Sequence, residues 1–182
     1  MHKAVFLDRD GVINEDHAYV HQPQDFHFIA GVFSACQQLQ ALGYKLVVVT
    51  NQSGIGRGYY DEAQFQQLTE WMKAQFAAHQ IEIAGVYFCP HHPKNAQVQY
   101  RQDCDCRKPF PGMLLQAAKE LELDLANSVM VGDKASDMEA ALAAGVPQRF
   151  LVRSGQALSN DCAATATAVV ESLADVPARL VV

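Results

Sequence analysis

Short apolar runs alternate along the chain with longer segments in which apolar residues recur every three or four positions. The runs are typical of buried strands, and the three-to-four spacing is typical of helices with one buried face. Strands are predicted at 5–7, 46–50, 85–88, 129–131, 149–152 and 168–170. Helices are predicted at 32–42, 61–79, 112–121 and 172–180, with another starting near residue 136. This alternation predicts an α/β fold with a sheet between helices.

The first strand ends in two carboxylates, Asp8 and Asp10, followed by Gly11. Side chains of an extended segment alternate between faces, so these two carboxylates point the same way. If the strand is central in a parallel sheet, both lie at its carboxyl end, where open α/β sheets form their ligand crevice. There Asp8 has the chemistry to attack phosphorus, and Asp10 to protonate the leaving oxygen and later deprotonate water. A solvated turn rich in aspartate is the alternative.

The second strand ends in the run Thr50-Asn51-Gln52-Ser53-Gly54. Its hydroxyl, amide and backbone N–H groups are suited to cradle a phosphate, although a plain turn has the same composition. The glycines from Gly54 to Gly58 predict that the loop continues. Within it, Arg57 either reaches an anion or is solvated.

Three cysteines lie close to two histidines in the segment 89–106, which has no periodicity of its own. A loop of this length is uncommon in a compact domain unless something holds it. Zinc bound by three thiolates and one imidazole would hold it as a closed structural site. The ligand positions are Cys89, Cys104, Cys106 and either His91 or His92. Reduced cysteines packed in a turn are the alternative.

Charged residues follow both the cysteine segment and the fourth strand. Arg107 and Lys108 come directly after the last cysteine, so an anchored loop would hold these cations beside a transferring phosphoryl group. Solvated surface charge is the alternative. Asp133 follows the fourth strand, and Asp137 lies in the first turn of the next helix, where metal binding and the helix dipole explain it equally well. The spacing of Ser136 and Glu139 predicts a capping box.

The composition is that of an ordinary globular protein, with 49% of the 182 residues hydrophobic and 19% charged. This length predicts one domain over 1–182. A net charge of −6 argues against an extended nucleic-acid surface, which needs a basic stripe. We recognise neither a membrane-spanning stretch nor a signal peptide, so the expected compartment is the cytoplasm. Cys36 is predicted to be core, Cys162 is unassigned, and the chain after Arg153 is expected to bear little on function.

Four groups of residues fall in order at successive strand ends: Asp8-Arg9-Asp10-Gly11, Thr50-Asn51, Lys108 and Gly132-Asp133-Lys134-x-x-Asp137. Together they resemble the haloacid dehalogenase (HAD) superfamily of phosphotransferases over nearly the whole chain. The strings Cys-Pro-His, Cys-Asp-Cys-Arg-Lys-Pro and Thr-Asn-Gln-Ser-Gly-Ile-x-Arg-Gly resemble its heptose bisphosphate phosphatase family. The resemblance implies a Rossmann-like, doubly wound, mainly parallel sheet with a minimal cap. The zinc loop and a flap at 14–23 would limit access to the site.

The resemblance also implies a reaction. Magnesium-dependent hydrolysis would remove the C7 phosphate of D-glycero-D-manno-heptose 1,7-bisphosphate through an aspartyl phosphate, on the route to ADP-heptose and the lipopolysaccharide core. Asp8 would be the nucleophile and Asp10 the general acid and base, with Thr50 and Lys108 stabilising the phosphoryl group. The implied magnesium ligands are Asp8, Asp10 through its backbone carbonyl, and Asp133. The implied zinc ligands are Cys89, His91, Cys104 and Cys106. The implied substrate-binding residues are Asp16, His17, Ala18, Tyr19, Thr50, Asn51, Gln52, Ser53, Arg107, Lys108 and Lys134.

Two other functions remain open. The histidinol-phosphatase domain, a closely similar branch of the superfamily, shares the zinc loop and would act on histidinol phosphate. A phospho-accepting interaction module without turnover needs an acceptor aspartate but no acid, so Asp10, Thr50 and Lys108 weigh against it. The expected partner is a small sugar bisphosphate, without nucleic acid or membrane, and the chain is expected to be a monomer.

Overall fold

Six parallel strands form one sheet in the computed structural model, which describes residues 1–158 and 163–180. They are β1 (Ala4–Leu7), β2 (Lys45–Asn51), β3 (Ile83–Cys89), β4 (Val129–Gly132), β5 (Gln148–Val152) and β6 (Ala168–Val170). All six lie where the sequence predicts strands. Their order across the sheet is β3-β2-β1-β4-β5-β6, that of a doubly wound fold. The winding reverses between β1 and β4, and ligands bind at the carboxyl ends of strands at such a point.

Helices cover both faces of this sheet. They are α1 (Val32–Ala41), α2 (Ser53–Arg57), α3 (Glu62–Ala78), α4 (Gly112–Glu120), α5 (Ala135–Ala144) and α6 (Val176–Leu180). Apolar residues of α1 and α3 pack against one face, and those of α4 and α5 pack against the other. The predicted Rossmann-like α/β architecture is confirmed.

The central strand β1 is buried on both sides because its side chains alternate between the two cores. Val5 and Leu7 pack with α1 and α3, whereas Ala4 and Phe6 pack with α4 and α5. All four side chains are fully buried. Burying a side chain of the size of valine, leucine or phenylalanine contributes about 1.5–3 kcal/mol. The strand that carries the two aspartates is therefore a rigid part of the molecule.

Two predicted helix starts are confirmed. Gly31 precedes α1 with a φ of 86°, a left-handed conformation that glycine adopts without strain. Asp61 precedes α3, and its carboxylate accepts a hydrogen bond from the Gln64 backbone N–H at 2.7 Å. The Gln64 side chain accepts one from the Asp61 backbone N–H at 2.9 Å, which completes a capping box.

The prediction that the glycines from Gly54 to Gly58 extend a loop is wrong, because Ser53–Arg57 form α2. Two of these glycines permit close packing instead of sharp turns. A Cβ at Gly54 would lie 2.3 Å from the Tyr60 ring, and one at Gly56 would lie 2.5 Å from the Pro90 carbonyl oxygen. Helix α2 therefore packs against the start of the cysteine segment 89–106.

Three other local predictions also need correction. The capping box at Ser136 and Glu139 is wrong, because α5 already begins at Ala135. The predicted helix 172–180 is a 3₁₀ turn, Leu173–Asp175, followed by α6. The cysteine segment contains a short 3₁₀ turn, Val98–Tyr100.

Two cysteines lie outside the cysteine segment 89–106. Cys36 is fully buried on α1, as predicted. Cys162 lies outside the described residues. In the described ranges, no helix combines the length and the apolar character that crossing a bilayer requires.

Candidate active site

Asp8 is the first residue after β1 and lies beside β4, where the winding of the sheet reverses. Its Oδ1 accepts hydrogen bonds from the Lys108 ammonium at 3.0 Å and from the Arg9 backbone N–H at 2.9 Å. Its own backbone N–H donates to the Val131 carbonyl of β4 at 3.1 Å. Asp8 lines a recess of about 40 Å³. The carboxylate is therefore buried and fixed, yet faces space for a ligand.

Asp137 holds the lysine and the start of α5 together. One oxygen of its carboxylate lies 2.5 Å from Lys108 Nζ. The other accepts hydrogen bonds from the backbone N–H groups of Asp133 and Lys134, both at 3.1 Å. A Cβ at Gly132 would lie 2.3 Å from the Asp137 Cβ, so the close approach requires glycine. Asp137 thus positions Lys108 and satisfies the two backbone N–H groups that directly precede α5.

Asp133 completes a cluster of three buried carboxylates. Oxygens of Asp8, Asp133 and Asp137 lie within 4.8 Å of one another. Both Asp133 oxygens are buried, and neither has a hydrogen-bond partner within the described part of the chain. A Cβ at Gly11 or Gly155 would lie 2.3 or 2.1 Å from Asp133 Oδ2, so the two glycines leave this oxygen its space. Buried, unpartnered carboxylate oxygens beside other carboxylates fit a hard divalent cation such as Mg²⁺.

Burial and the neighbouring negative charges raise the pKa values of Asp8 and Asp133. Burial, followed by the Asp137 carboxylate, raises the pKa of Asp8 to about 6, against the opposing effect of Lys108. Burial, followed by Asp8 and Asp137, raises the pKa of Asp133 to about 9. Burial would lower the pKa of Lys108, but Asp137 and Asp8 outweigh it and raise the pKa. A bound divalent cation would offset the repulsion among the carboxylates that Lys108 alone does not neutralise.

The Asp10 carboxylate is in a different environment, because it accepts four hydrogen bonds. Oδ1 accepts from the Asn14 amide at 2.9 Å and from Arg9 at 3.1 Å, and Oδ2 accepts from Arg9 and from the Gln52 amide, both at 3.2 Å. Burial alone would raise the pKa of Asp10, but the Arg9 charge and these hydrogen bonds hold it below its usual value. The ionised form is suited to take a proton from water. A phosphate dianion placed beside it would favour the protonated form.

Arg9 is a functional residue that the sequence reasoning missed. Its buried guanidinium lies 5.7 and 5.9 Å from the ring centroids of Phe26 and Phe65. Besides binding Asp10, it donates to the Val20 carbonyl of the flap at 2.8 Å. Arg9 therefore joins the Asp10 carboxylate to the flap. The sequence did contain a signal for Arg9. Side chains of an extended segment alternate between faces, so the residue between Asp8 and Asp10 points into the interior, where a charged group needs a partner.

Lys108 is fixed through its backbone as well as through its ammonium group. The Asn51 amide donates to the Lys108 carbonyl at 3.2 Å, and the Asn51 side-chain oxygen accepts from the Lys108 N–H at 3.0 Å. Lys108 Nζ also donates to the Val49 carbonyl at 2.9 Å. Strand β2 thus holds the lysine, and Asn51, implied to bind substrate, positions it too.

A cleft of about 510 Å³ adjoins these residues. Nine of the eleven implied substrate-binding residues line it: Asp16, Ala18, Tyr19, Asn51, Gln52, Ser53, Arg107, Lys108 and Lys134. Thr50 is buried, and its hydroxyl accepts a hydrogen bond from the Gln52 amide at 2.9 Å. The structure does not bring His17 into the cleft. The chain turns at Ala18 and Tyr19, which have φ values of 60° and 56°, and the His17 ring lies outside, 3.0 Å from Glu15.

The loop after β5 reaches the same cleft, which contradicts the expectation that the chain after Arg153 bears little on function. The Ser154 hydroxyl donates to the Gly11 carbonyl at 2.8 Å. The Gln156 amide donates to the Asp16 carboxylate at 3.2 Å and lines the cleft. Small polar residues carry no periodic signal, so the sequence did not distinguish this loop from a solvated one.

Cys89, His91, Cys104 and Cys106 converge at the end of β3. The three sulfur atoms lie 2.7, 3.3 and 3.5 Å apart, and His91 Nδ1 lies 3.5 Å from Cys106 and 3.7 Å from Cys89. Tetrahedral donors around zinc lie about 3.3–3.8 Å apart, given bonds of about 2.0–2.3 Å. The hydrogen bond between Cys106 and Cys89 is the main cause that lowers the pKa of the Cys106 thiol to about 5. Four of these five distances lie in that range, and the Cys89–Cys106 sulfur pair is closer. The donor chemistry and these four spacings fit a closed zinc site.

The ring contacts distinguish the two candidate histidines. His92 Nδ1 accepts hydrogen bonds from the backbone N–H groups of Lys94 and Asn95 at 3.0 and 2.8 Å. That nitrogen therefore stabilises a turn. His91, by contrast, turns its Nδ1 toward the thiols.

The cysteine cluster is joined to the cleft through short connections. Cys106 directly precedes Arg107, whose guanidinium donates to the His91 carbonyl at 3.4 Å. The Gln52 backbone N–H donates to the Cys89 carbonyl at 2.8 Å. The loop therefore helps to place the cations and amides that line the cleft.

Known proteins share both the sequence and the arrangement. Residues 105–176 match the family described as HAD-hyrolase-like. The chain is 57% identical over 174 residues to the D-glycero-beta-D-manno-heptose-1,7-bisphosphate 7-phosphatase of Vibrio cholerae, covering 96% of this chain and 94% of that protein. This chain belongs to the heptose bisphosphate phosphatase family. The phosphatase of the same name from Escherichia coli K12 is 53% identical, covering 96% of this chain and 91% of its own.

A solved structure supports the same membership. The D,D-heptose 1,7-bisphosphate phosphatase from B. bronchiseptica, complexed with magnesium and phosphate, matches with a TM-score of 0.82 and 33% identity. The match covers 98% of this chain and 97% of that one. The HAD fold and the phosphatase family expected from the strand-end residues are therefore confirmed.

Proposed function

We propose that this member of the heptose bisphosphate phosphatase family removes the C7 phosphate of D-glycero-β-D-manno-heptose 1,7-bisphosphate, in the supply of ADP-heptose for the lipopolysaccharide core. One observation carries the proposal: Asp8, paired with Lys108, and Asp10, held by Arg9, line the same recess, and Asp10 and Lys108 also line the larger cleft. The names of the V. cholerae and E. coli relatives supply the sugar and its β configuration.

The first half of the reaction forms an aspartyl phosphate. An oxygen of Asp8 attacks phosphorus, the bond from phosphorus to the sugar O7 breaks, and Asp10 gives its proton to that oxygen. Lys108 and the Thr50 hydroxyl stabilise the phosphoryl oxygens. The Thr50 oxygen already accepts a hydrogen bond from Gln52, so its own proton is free to donate.

The second half restores the protein. The Asp10 carboxylate, ionised after the first step, takes a proton from a water molecule as the water oxygen attacks phosphorus. The bond from phosphorus to Asp8 breaks, inorganic phosphate leaves, and Asp10 is again protonated. The four hydrogen bonds that fix Asp10 keep it oriented toward both the sugar oxygen and the water.

Magnesium is part of the proposal because the residues present fit it. Asp8 and Asp133, with the Asp10 backbone carbonyl, would hold the ion, and the unpartnered Asp133 oxygens support this assignment. When bound, the ion supplies positive charge that offsets the repulsion between a phosphate dianion and a carboxylate. Lys108 remains the fixed cation that accompanies Asp8 throughout.

Zinc is proposed for the cysteine cluster, in a structural role. Three thiolates and one imidazole complete a tetrahedron and leave no position for substrate or water. The contribution to catalysis is then the placement of Arg107 and Lys108, which follow Cys106 directly.

Three further features belong to the same proposal. We infer that residues 1–182 act as one domain, because strands from both ends of the chain share one sheet. A cytoplasmic location suits a biosynthetic step and the reduced thiols that zinc needs. A monomer is proposed, and light scattering tests that state.

The decisive experiment measures phosphate release from purified, zinc-loaded protein with Mg²⁺. The β and α anomers of the heptose bisphosphate are compared with histidinol phosphate by kcat/KM. We expect the β anomer to be the best substrate, and Asp8→Asn to lower its turnover by about 10⁴-fold or more with an unchanged circular dichroism spectrum. The exposed Asp103→Asn is the matched control. Wild-type turnover in Asp8→Asn would refute the mechanism, and preference for histidinol phosphate would refute the substrate.

A further inference from the structure

A second group of metal-binding side chains lies outside the cleft, at the base of the flap. Glu15, His17 and His27 place one ligand atom each within 4.8 Å of the others. His17 Nε2 lies 3.0 Å from Glu15 Oε2 and 3.3 Å from His27 Nδ1, and His27 Nδ1 lies 3.7 Å from Glu15 Oε2. Donors around a tetrahedral zinc ion lie about 3.3 Å apart when each bond is about 2.0–2.1 Å. The three atoms thus already form one face of such a tetrahedron.

The backbone preorganises two of these three ligands. The Glu15 N–H donates to the His27 carbonyl at 2.8 Å, and the neighbouring residues Asn14 and Phe28 form an antiparallel bridge. Glu15 and His27 are therefore opposite each other on paired segments, although they are twelve positions apart. Binding a metal there does not have to organise the chain first.

The second nitrogen of His27 is arranged as in metal sites. His27 Nε2 lies 3.2 Å from the Gln24 carbonyl oxygen, to which it donates, so the lone pair is left on Nδ1, the atom that faces Glu15 and His17. Histidine ligands of metals usually donate their other N–H to a carbonyl or carboxylate, which fixes the ring and its tautomer. This contact is independent of the cluster itself and also points to a ligand at Nδ1.

The surroundings are open and carry negative charge. His17 and His27 line a depression of about 440 Å³ that Asp25 also lines. The Glu15, His17 and His27 side chains are about half exposed, so a bound ion would keep at least one water. Two imidazoles and one carboxylate suit Zn²⁺ better than Mg²⁺ or Ca²⁺, which prefer oxygen ligands.

We propose that Glu15, His17 and His27 form a second zinc site, which clamps the flap to the body of the protein. The flap contributes Glu15 and His17, and the body contributes His27. His17 is followed at once by Ala18 and Tyr19, which line the cleft. Zinc would therefore hold the flap in the arrangement described above. This site differs from the cysteine cluster in donors, in exposure and in its place in the fold.

The test titrates tag-free, zinc-loaded protein with Zn²⁺ by calorimetry, with Mg²⁺ in excess to occupy the carboxylates. We expect a second equivalent to bind, and His27→Gln to weaken that binding by about tenfold or more. Glu15→Gln, which keeps the backbone pairing, should weaken it as well and serves if His27→Gln does not fold. His2→Gln is the control, because an exposed histidine beside the amino terminus is the competing ligand. No second equivalent, or equal affinity in His27→Gln, would overturn the site.

Amide hydrogen exchange tests the clamp separately from binding and from phosphatase activity. Excess Zn²⁺ should slow exchange over residues 15–27 in the wild type and in His2→Gln, and should leave exchange unchanged in His27→Gln. Unchanged exchange in a wild type that binds the second zinc would overturn the clamp.

Discussion

The carboxylate cluster and the cysteine cluster both fit metal ions, but they are built in different ways. In the cysteine cluster, every donor faces the others, and the thiols and the imidazole share hydrogen bonds even without an ion. In the carboxylate cluster, Asp137 is already paired with Lys108 and with backbone N–H groups. The Asp133 oxygens have no partner among residues 1–158 and 163–180.

This difference distinguishes a metal site that stabilises the fold from one that is available for a reaction. A donor set closed on itself gains folding energy from its metal and offers nothing to a substrate. Like charges buried together, with too few cations, cost folding energy but leave room for a metal and for a phosphoryl group. Three variants make this contrast measurable.

The largest effect on folding is expected from Lys108→Met. The change keeps the unbranched apolar stem of the side chain but leaves Asp8 and Asp137 buried without their cation, so the free energy of unfolding should fall by about 3–5 kcal/mol. Urea unfolding without Mg²⁺ measures it. Lys119→Met, on the exposed side of α4, is the control and should change stability by about 0.5 kcal/mol at most. Equal stabilities of the two variants would show that the ion pairs of Lys108 with Asp8 and Asp137 contribute little to the free energy of unfolding.

A smaller loss is expected from Cys106→Ser. The variant should lose its structural zinc, and the free energy of unfolding should fall by about 2–4 kcal/mol. Turnover should also fall, because Arg107 and Lys108 lose their anchor. Metal analysis, thermal unfolding and phosphate release follow these changes, with Cys36→Ala as a control that removes a thiol outside the cluster. Full zinc content in Cys106→Ser would contradict the ligand assignment.

The smallest effect, and the one of opposite sign, is expected from Asp133→Asn. Burial and the neighbouring carboxylates raise the pKa of Asp133 to about 9, so folding at neutral pH has the cost of protonating this carboxyl. A neutral amide avoids that cost and should raise the stability of the magnesium-free protein by about 1 kcal/mol. Activity should be lost, and added Mg²⁺ should no longer stabilise the variant against heat. Asp103→Asn, an exposed substitution, should keep the magnesium response of the wild type. A loss of stability comparable to that of Lys108→Met would show that the Asp133 charge is compensated within the chain.

The sequence predicted the features that follow from local residue patterns and from the positions of strand ends. Six strands and the carboxylates that follow β1 and β4 were predictable because alternation and apolar runs report burial directly. Arg9 and Gln156 were missed because each acts through a partner distant in sequence or through a loop without periodicity. The helix at Ser53–Arg57 was missed because a glycine that allows close packing looks the same in sequence as one that allows a turn.

The place of β1 in the sheet has a consequence for how the molecule is made. β1 pairs with β2 on one side and with β4 on the other, and Asp8, Lys108 and Asp133 lie far apart along the chain. A nascent chain that has emerged from the ribosome only through β3 contains Asp8 but lacks β4. The backbone N–H and C=O groups of β1 that pair with β4 are then exposed. Translation therefore completes the phosphatase late, and truncated products from interrupted synthesis are expected to be inert and prone to self-association.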